Sequence, residues 1–440
     1  MVDRYPRIVE RLIETELLPA FPAVLLVGAR GSGKSTSAGR FADTTIDLSM
    51  PGPRRAARED PDGVLAASAG TVLIDEWQEA PEIVGAVKRA VDVGGAAGRF
   101  ILTGSVRAAQ RATTWPGTGR LIRLRMSGLT QSEIEHDNEY NPVDALFGAD
   151  PPLWGASSLD RADYLERIVA GRFPYALGLS DRNRERWYDA YVEQLVELDA
   201  PQITPGSPRP HKIRAVLESC AARTGQELNK QATARDAGVT AVTADTHLRL
   251  LEDLSIVARV PAWHTKRLYR LTRSPKPHLV DPGLAARLLL ADAVSLARDA
   301  TLVGQLFETF VATELRPHLE SASEATELFH FRDRSGHEVD FVLERRGRLA
   351  ALEVKSATSV GRGDAKGLIW LKRQLGDDFH FGAVLYAGKL PFRIDERVWA
   401  LPLSILWHRP SAPQPPCNQT GSRSDPPTLG TAPRPRRVGP

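Results

Sequence analysis

Residues Val24 to Thr36 read Val-Leu-Leu-Val-Gly-Ala-Arg-Gly-Ser-Gly-Lys-Ser-Thr, an apolar run that breaks into G-x-x-x-x-G-K-[ST]. No other stretch restricts the fold as much. Four apolar residues in a row suit a strand covered on both faces, and the residues after the last glycine open a helix. Strand, glycine-bent loop and helix together begin a parallel α/β sheet. Gly28, Gly31 and Gly33 let the backbone curl until its N–H groups converge on a β-phosphate, with the positive end of the helix behind them. Ala29, Arg30 and Ser32 complete the loop, Lys34 reaches the β- and γ-phosphates, the Ser35 hydroxyl ligates Mg²⁺, and Thr36 continues the first turn. ATP and Mg²⁺ are the expected ligands.

A second apolar run, Thr71-Val72-Leu73-Ile74, ends in Asp75 and Glu76. An aspartate at a strand tip suits water-mediated Mg²⁺ binding, and the following glutamate suits orienting or deprotonating the attacking water. A third run, Ile101-Leu102, ends in Thr103-Gly104-Ser105. Ring-type ATPases carry a polar residue here that senses the γ-phosphate, so Thr103 and Ser105 are candidates, against the plainer reading of turn residues. Arg120, after Gly119, is a candidate arginine finger, against a solvated arginine entering the strand Leu121–Leu124.

Four further zones follow the first, residues 1–137. Residues 138–160 are Pro, Gly and Asp-rich and read as a linker. Residues 161–291 are mainly helical: Trp187 to Leu198 carries aromatic and apolar residues at helical spacing, and Leu228 to Trp263 reads helix, turn, helix, strand, as in a winged helix. Residues 292–408 combine a helix, Leu302–Leu315, with period-two segments His337–Leu343 and Leu349–Val354. Residues 409–440 hold nine prolines and five arginines against one acid, and read as a disordered tail. That tail supplies the basic balance, because the chain as a whole has 57 Lys and Arg against 54 Asp and Glu. The body is therefore no wholesale nucleic-acid coat. Two cysteines, Cys220 and Cys417, exclude a disulfide framework or a cysteine metal cluster. The absence of an apolar leader or spanning run predicts a cytoplasmic protein with no membrane partner.

The residues Gly28-Ala29-Arg30, Gly33-Lys34-Ser35, Leu73 through Pro81, Leu102-Thr103-Gly104-Ser105 and Gly119-Arg120 resemble a prokaryotic family of AAA-type P-loop ATPases with a C-terminal domain of unknown function, DUF4143. Gly171-Arg172-Phe173-Pro174, Trp187 through Asp199, Phe331-Arg332-Asp333, Glu338 through Val342 and Leu352 through Ser356 resemble the C-terminal part of that family, so the likeness runs from about Ile8 to Trp407. Arg172 replaces a usual second glycine, and Leu198 stands where an arginine is frequent. The resemblance implies an ATPase, with assembly into a homo-oligomer as an option open to AAA-type relatives.

Asp340 followed, after twelve residues, by Glu353-Val354-Lys355 fits the D-x(n)-E-x-K pattern of restriction-endonuclease-like folds. Residues i and i+2 of a strand share a face, and a turn at Arg345–Arg348 would bring Asp340 beside them. Two carboxylates would then hold Mg²⁺, Lys355 would stabilise developing charge, and Glu308 would complete the ligand set. The bland alternative is a hairpin with alternating charged faces. On the winged-helix-like segment, Thr243, Thr246, His247 and Arg249 are the candidates for reaching bases, diluted by Asp236, Asp245, Glu252 and Asp253.

The expected architecture is α/β: a P-loop parallel sheet, a helical and winged-helix-like middle, and a small restriction-endonuclease-like C-terminal domain. Two functions stay open. One is an ATP-hydrolysing protein acting on DNA through the nuclease-like module. The other is a nucleotide-dependent switch or scaffold that binds protein partners without cleavage. A metabolic kinase ranks last, because Asp75-Glu76 points to water as the acceptor.

Overall fold

A computed structural model describes residues 5–104, 119–148, 155–203, 209–409 and 439. Ser105, Cys417 and nearly all of the tail lie outside the described residues. Five strands, β1 (Ala23–Val27), β2 (Thr44–Asp47), β3 (Val72–Asp75), β4 (Phe100–Gly104) and β5 (Leu121–Arg125), form one sheet in the order β2-β3-β4-β1-β5. Every pairing in it is parallel. The period-two geometry of β1 shows in what its two faces bury. Ala23, Leu25 and Val27 pack with Leu65, Ile83 and Val87 of the helices on one side. Val24 and Leu26 pack with Val9, Leu12 and Ile13 of the N-terminal helix on the other. The sequence reading lacked β2. It is an edge strand, and of its four residues only Ile46 is buried, so it carries no apolar run to find.

The helix through Trp187 spans Asp181–Gln194 and passes into a π-helical turn, Leu195–Asp199. Helices Pro210–Ala222, Lys230–Asp236 and Ala241–Asp253 pack on one another and precede a hairpin of β6 (Val257–Val260) and β7 (Lys276–Leu279). This is the winged-helix-like pattern. The C-terminal sheet adds β8 (Glu327–Arg332), β9 (Glu338–Arg345), β10 (Arg348–Lys355), β11 (Phe379–Tyr386), β12 (Phe392–Asp395) and β13 (Val398–Pro402), ordered β12-β13-β11-β10-β9-β8. It is mixed: β9 and β10 pair antiparallel across the expected Arg345–Arg348 turn, and β10 pairs parallel with β11.

One face of this sheet shares a core with helix Ala300–Glu320 and with the helices of 161–291, so a single apolar interior runs across the division drawn at 291. The other face buries helix Lys366–Leu375. Within 138–160, residues Pro142–Leu146 form a helix capped by Asn141, with Val143 and Leu146 in that same interior. No helix among the described residues is long and apolar enough to cross a membrane.

A buried polar joint ties the first sheet to the helical middle and the C-terminal domain. Arg172 is wholly buried, and its Nε lies 3.5 Å from Glu314 on the Ala300–Glu320 helix. Its carbonyl accepts from the Leu129 N–H at 2.8 Å, and its own N–H donates to Asp281 at 2.6 Å. Glu314 also accepts from the Gln131 N–H at 3.0 Å. Burial pushes Glu314 up to about 7, with Arg172 opposing that shift. Arg172→Ala should therefore cost about 3–5 kcal/mol of unfolding free energy by chemical denaturation, the toll of an unpaired buried charge. Since burial has raised Glu314 above its unfolded value, the penalty should grow as pH rises toward and through about 7 and shrink in acid.

Candidate functional site

In an all-parallel sheet every strand ends its carboxyl terminus at the same edge, which is where such sheets place ligands. Val27 runs there into the glycine-bent loop, and Lys34–Ala38 opens the helix beyond it. Gly33 has φ +96°, a left-handed conformation that favours glycine. Gly28 answers a different need: a Cβ there would meet the Met126 carbonyl oxygen at 2.0 Å. The Ser32 hydroxyl is buried in the loop without a hydrogen-bond partner among the described residues.

Lys34 is buried, and its Nζ donates to the Gly28 and Ala29 carbonyls at 3.1 Å each. Burial pulls its pKa down, while Glu76 and Asp75 act against that pull. Because β4 stands between β1 and β3, three chain segments meet at Asp75. Its Oδ1 accepts from Ser35 Oγ at 2.8 Å and from Thr103 Oγ1. Glu76 has φ +52°, an uncommon conformation for a residue with a side chain, and its Oε2 accepts from Gln78 Nε2. Two hydroxyls and a carboxylate are the hard oxygen donors that suit Mg²⁺.

The structure thus brings Lys34, Ser35, Asp75, Glu76 and Thr103 to one edge. Arg120 is elsewhere. Ala23 pairs with Leu121, so Arg120 sits at the opposite end of β1 from the loop, where it pairs with Asp92. Three residues that the motif reading missed also hold the loop. Arg7 donates to the Ser32 carbonyl at 2.8 Å and to the Ser127 carbonyl at 2.7 Å, bracing the loop from the N-terminal segment. From the helical middle, Tyr191 Oη donates to the Arg30 carbonyl at 3.1 Å and Asp199 accepts from Arg30 Nη1 at 2.7 Å. Nothing in local spacing announces these contacts, since they join residues 25, 161 and 169 positions apart.

The second cluster forms around β7, β9, β10 and the Ala300–Glu320 helix. Asp340, Glu353, Lys355 and Glu308 do gather there. Lys355 donates to Glu353 at 2.6 Å, and Asp340 Oδ2 accepts from the Val354 N–H at 2.9 Å. Lys276, absent from the sequence reading, enters from β7 and donates to Glu308 at 2.9 Å. Among the described residues no group of three or more His, Cys, Asp or Glu is arranged to hold a metal ion. Burial, with Asp340 alongside, raises Glu353 to about 8 and Glu308 well above the usual carboxylate range.

On the helix Ala241–Asp253 the expected base-reading residues divide, with His247 buried and Thr246 and Arg249 at the surface. His247 is 4% exposed and points inward. Thr246 donates to the Val242 carbonyl at 3.0 Å, Thr243 bonds Thr240 at 2.9 Å, and Arg249 pairs with Asp245 at 3.1 Å.

Comparison with known proteins divides the chain in three. Residues 20–135 match the model of an AAA domain, 161–295 that of a domain of unknown function (DUF8612), and 303–406 that of a domain of unknown function (DUF4143). The uncharacterized proteins Rv2008c of Mycobacterium tuberculosis and Mb2031c of Mycobacterium bovis are each 28% identical over 394 residues, covering 87% of this chain and 80% of theirs. A solved structure, protein VC1899 from Vibrio cholerae, is 12% identical, with 83% of this chain and 89% of that one covered, at a TM-score of 0.17. The loop, Asp75, Glu76 and Thr103 fall in the first stretch, and Lys276 falls in the second, outside the DUF4143 stretch that holds its carboxylate partners.

The close approach at Gly28 gives a direct check. Gly28→Ala should displace the loop against Met126, costing about 1–3 kcal/mol of stability and weakening nucleotide affinity in a binding titration. Wild-type behaviour in both measurements would mean that the loop tolerates the methyl group.

Proposed function

We propose that this chain, which carries an AAA domain and a C-terminal DUF4143 domain, binds ATP at residues 28–36 and hydrolyses its terminal phosphate. The observation that supports this reading most is the sharing of one Asp75 oxygen by Ser35 and Thr103 beside the buried Lys34. The Lys34 ammonium, held by two neutral loop carbonyls, gains stronger charge-assisted bonds when phosphate oxygens arrive. Mg²⁺ held by Ser35 and Asp75 would neutralise charge on the β- and γ-phosphates. Thr103 fixes the Asp75 carboxylate, and Glu76, oriented by Gln78, takes the proton of the attacking water.

Between the two functional readings we favour a nucleotide-dependent switch. The helical middle grips the phosphate loop through Tyr191 and Asp199, so a phosphate near Arg30 competes with Asp199 for the same guanidinium. That competition is a local charge event of the kind that biases a two-state element. Cleavage of DNA at Asp340, Glu353 and Lys355 is the weaker reading, since Asp340 is already paired with Lys276.

An ATPase assay tests the proposal. Lys34→Ala should lose nucleotide binding and turnover together. Glu76→Gln should keep binding and slow hydrolysis by about 100-fold or more, because the base is lost while Asp75 remains. Equal turnover in wild type and Glu76→Gln would remove Glu76 from the role of base.

A further inference from the structure

We propose that Lys276 is the resident cation of the C-terminal carboxylate cluster, standing where the D-x(n)-E-x-K pattern would place a divalent metal. An ammonium carries three N–H donors and no acceptor. Here three carboxylates surround it: Glu308 at 2.9 Å, Glu338 at 2.9 Å and Asp340 at 3.3 Å from Nζ. The lysine side chain is 2% exposed, so these oxygens replace its water completely.

Beside it, Glu353 Oε2 is buried without a hydrogen-bond partner among the described residues, a single oxygen where a metal needs several. Asp340 spends its second oxygen on the Val354 N–H, and Glu353 is paired with Lys355. Mg²⁺ demands near-octahedral oxygen coordination at about 2.0–2.1 Å and keeps several waters, which a cluster centred on the buried Lys276 ammonium does not offer. The residues present do not fit a nuclease metal.

Lys276 begins β7, so its ion pairs fasten the winged-helix-like hairpin to the C-terminal sheet across 64 residues of sequence to Asp340. Removing one partner of such a buried set leaves uncompensated charge, while the complete set joins two parts of the molecule in a fixed register. The cluster is an internal ionic lock. It makes no use of the nucleotide site and does not depend on ATP hydrolysis.

Manganese titration of the nucleotide-free full chain, read by electron paramagnetic resonance, tests the assignment. Wild type and Asp340→Asn should take up Mn²⁺ identically, since wild type has no site that depends on Asp340. Lys276→Met keeps the bulk of the side chain and removes the charge. Its thermal midpoint should fall below that of wild type and climb by several degrees as Mn²⁺ is added, and the climb should vanish in Lys276→Met/Asp340→Asn. Wild-type Mn²⁺ binding that Asp340→Asn abolishes would overturn the proposal. So would a folded Lys276→Met protein indifferent to Mn²⁺. If that variant does not fold, the comparison of wild type with Asp340→Asn decides alone. ATP binding by wild type and Asp340→Asn should be equal throughout, which separates this result from any failure at the phosphate loop.

Discussion

A parallel sheet delivers the carboxyl ends of all its strands to one edge, and the chemistry proposed here depends on that constraint. With β4 inserted between β1 and β3, the hydroxyl of Thr103 stands between the loop that carries Ser35 and the carboxylate of Asp75. One oxygen of Asp75 then receives both hydroxyls. Backbone crowding enforces the rest: the Met126 carbonyl presses so near Gly28 that the loop has room for hydrogen and nothing larger. A site assembled this way is positioned by strand ends and by the helix that follows the loop, so its donors wait in place for a charged ligand.

The edge of the sheet is also where the rest of the chain makes contact. Arg7 reaches the loop from one side, while Tyr191 and Asp199 reach it from the helical middle. Behind them the polar joint around Arg172 connects the sheet's last turn to the helix that supports the C-terminal domain. A charge arriving at Arg30 therefore acts on a contact one step from the shared interior. This is the physical basis for preferring a switch to a simple hydrolase with passengers.

What could be read in the sequence was what is local. The loop, Asp75, Glu76 and Thr103 announce themselves because each follows a short apolar run, and the Glu353-Val354-Lys355 face follows from strand alternation. Edge strand β2 was illegible because only one of its residues needs burial. For Arg120 the sequence offered a finger or a solvated arginine entering a strand, and its place at the far end of β1, paired with Asp92, is that of the second. His247 was a candidate for reaching bases, yet it is buried. Lys276 had no local signal at all: a lysine before a proline reads as surface until the fold carries it 64 positions to Asp340. Arg172 marked itself only as a departure from the glycine usual in the family the sequence resembles, and nothing local showed that it is buried.

The central claim is that the loop after β1 recognises a polyphosphate. Isothermal calorimetry on the wild-type chain with ATP, ADP and AMP in Mg²⁺ tests it most directly. Saturable heat with ATP and ADP, and none with AMP, is the predicted result. Silence with all three, or AMP binding as tightly as ATP, would contradict the account.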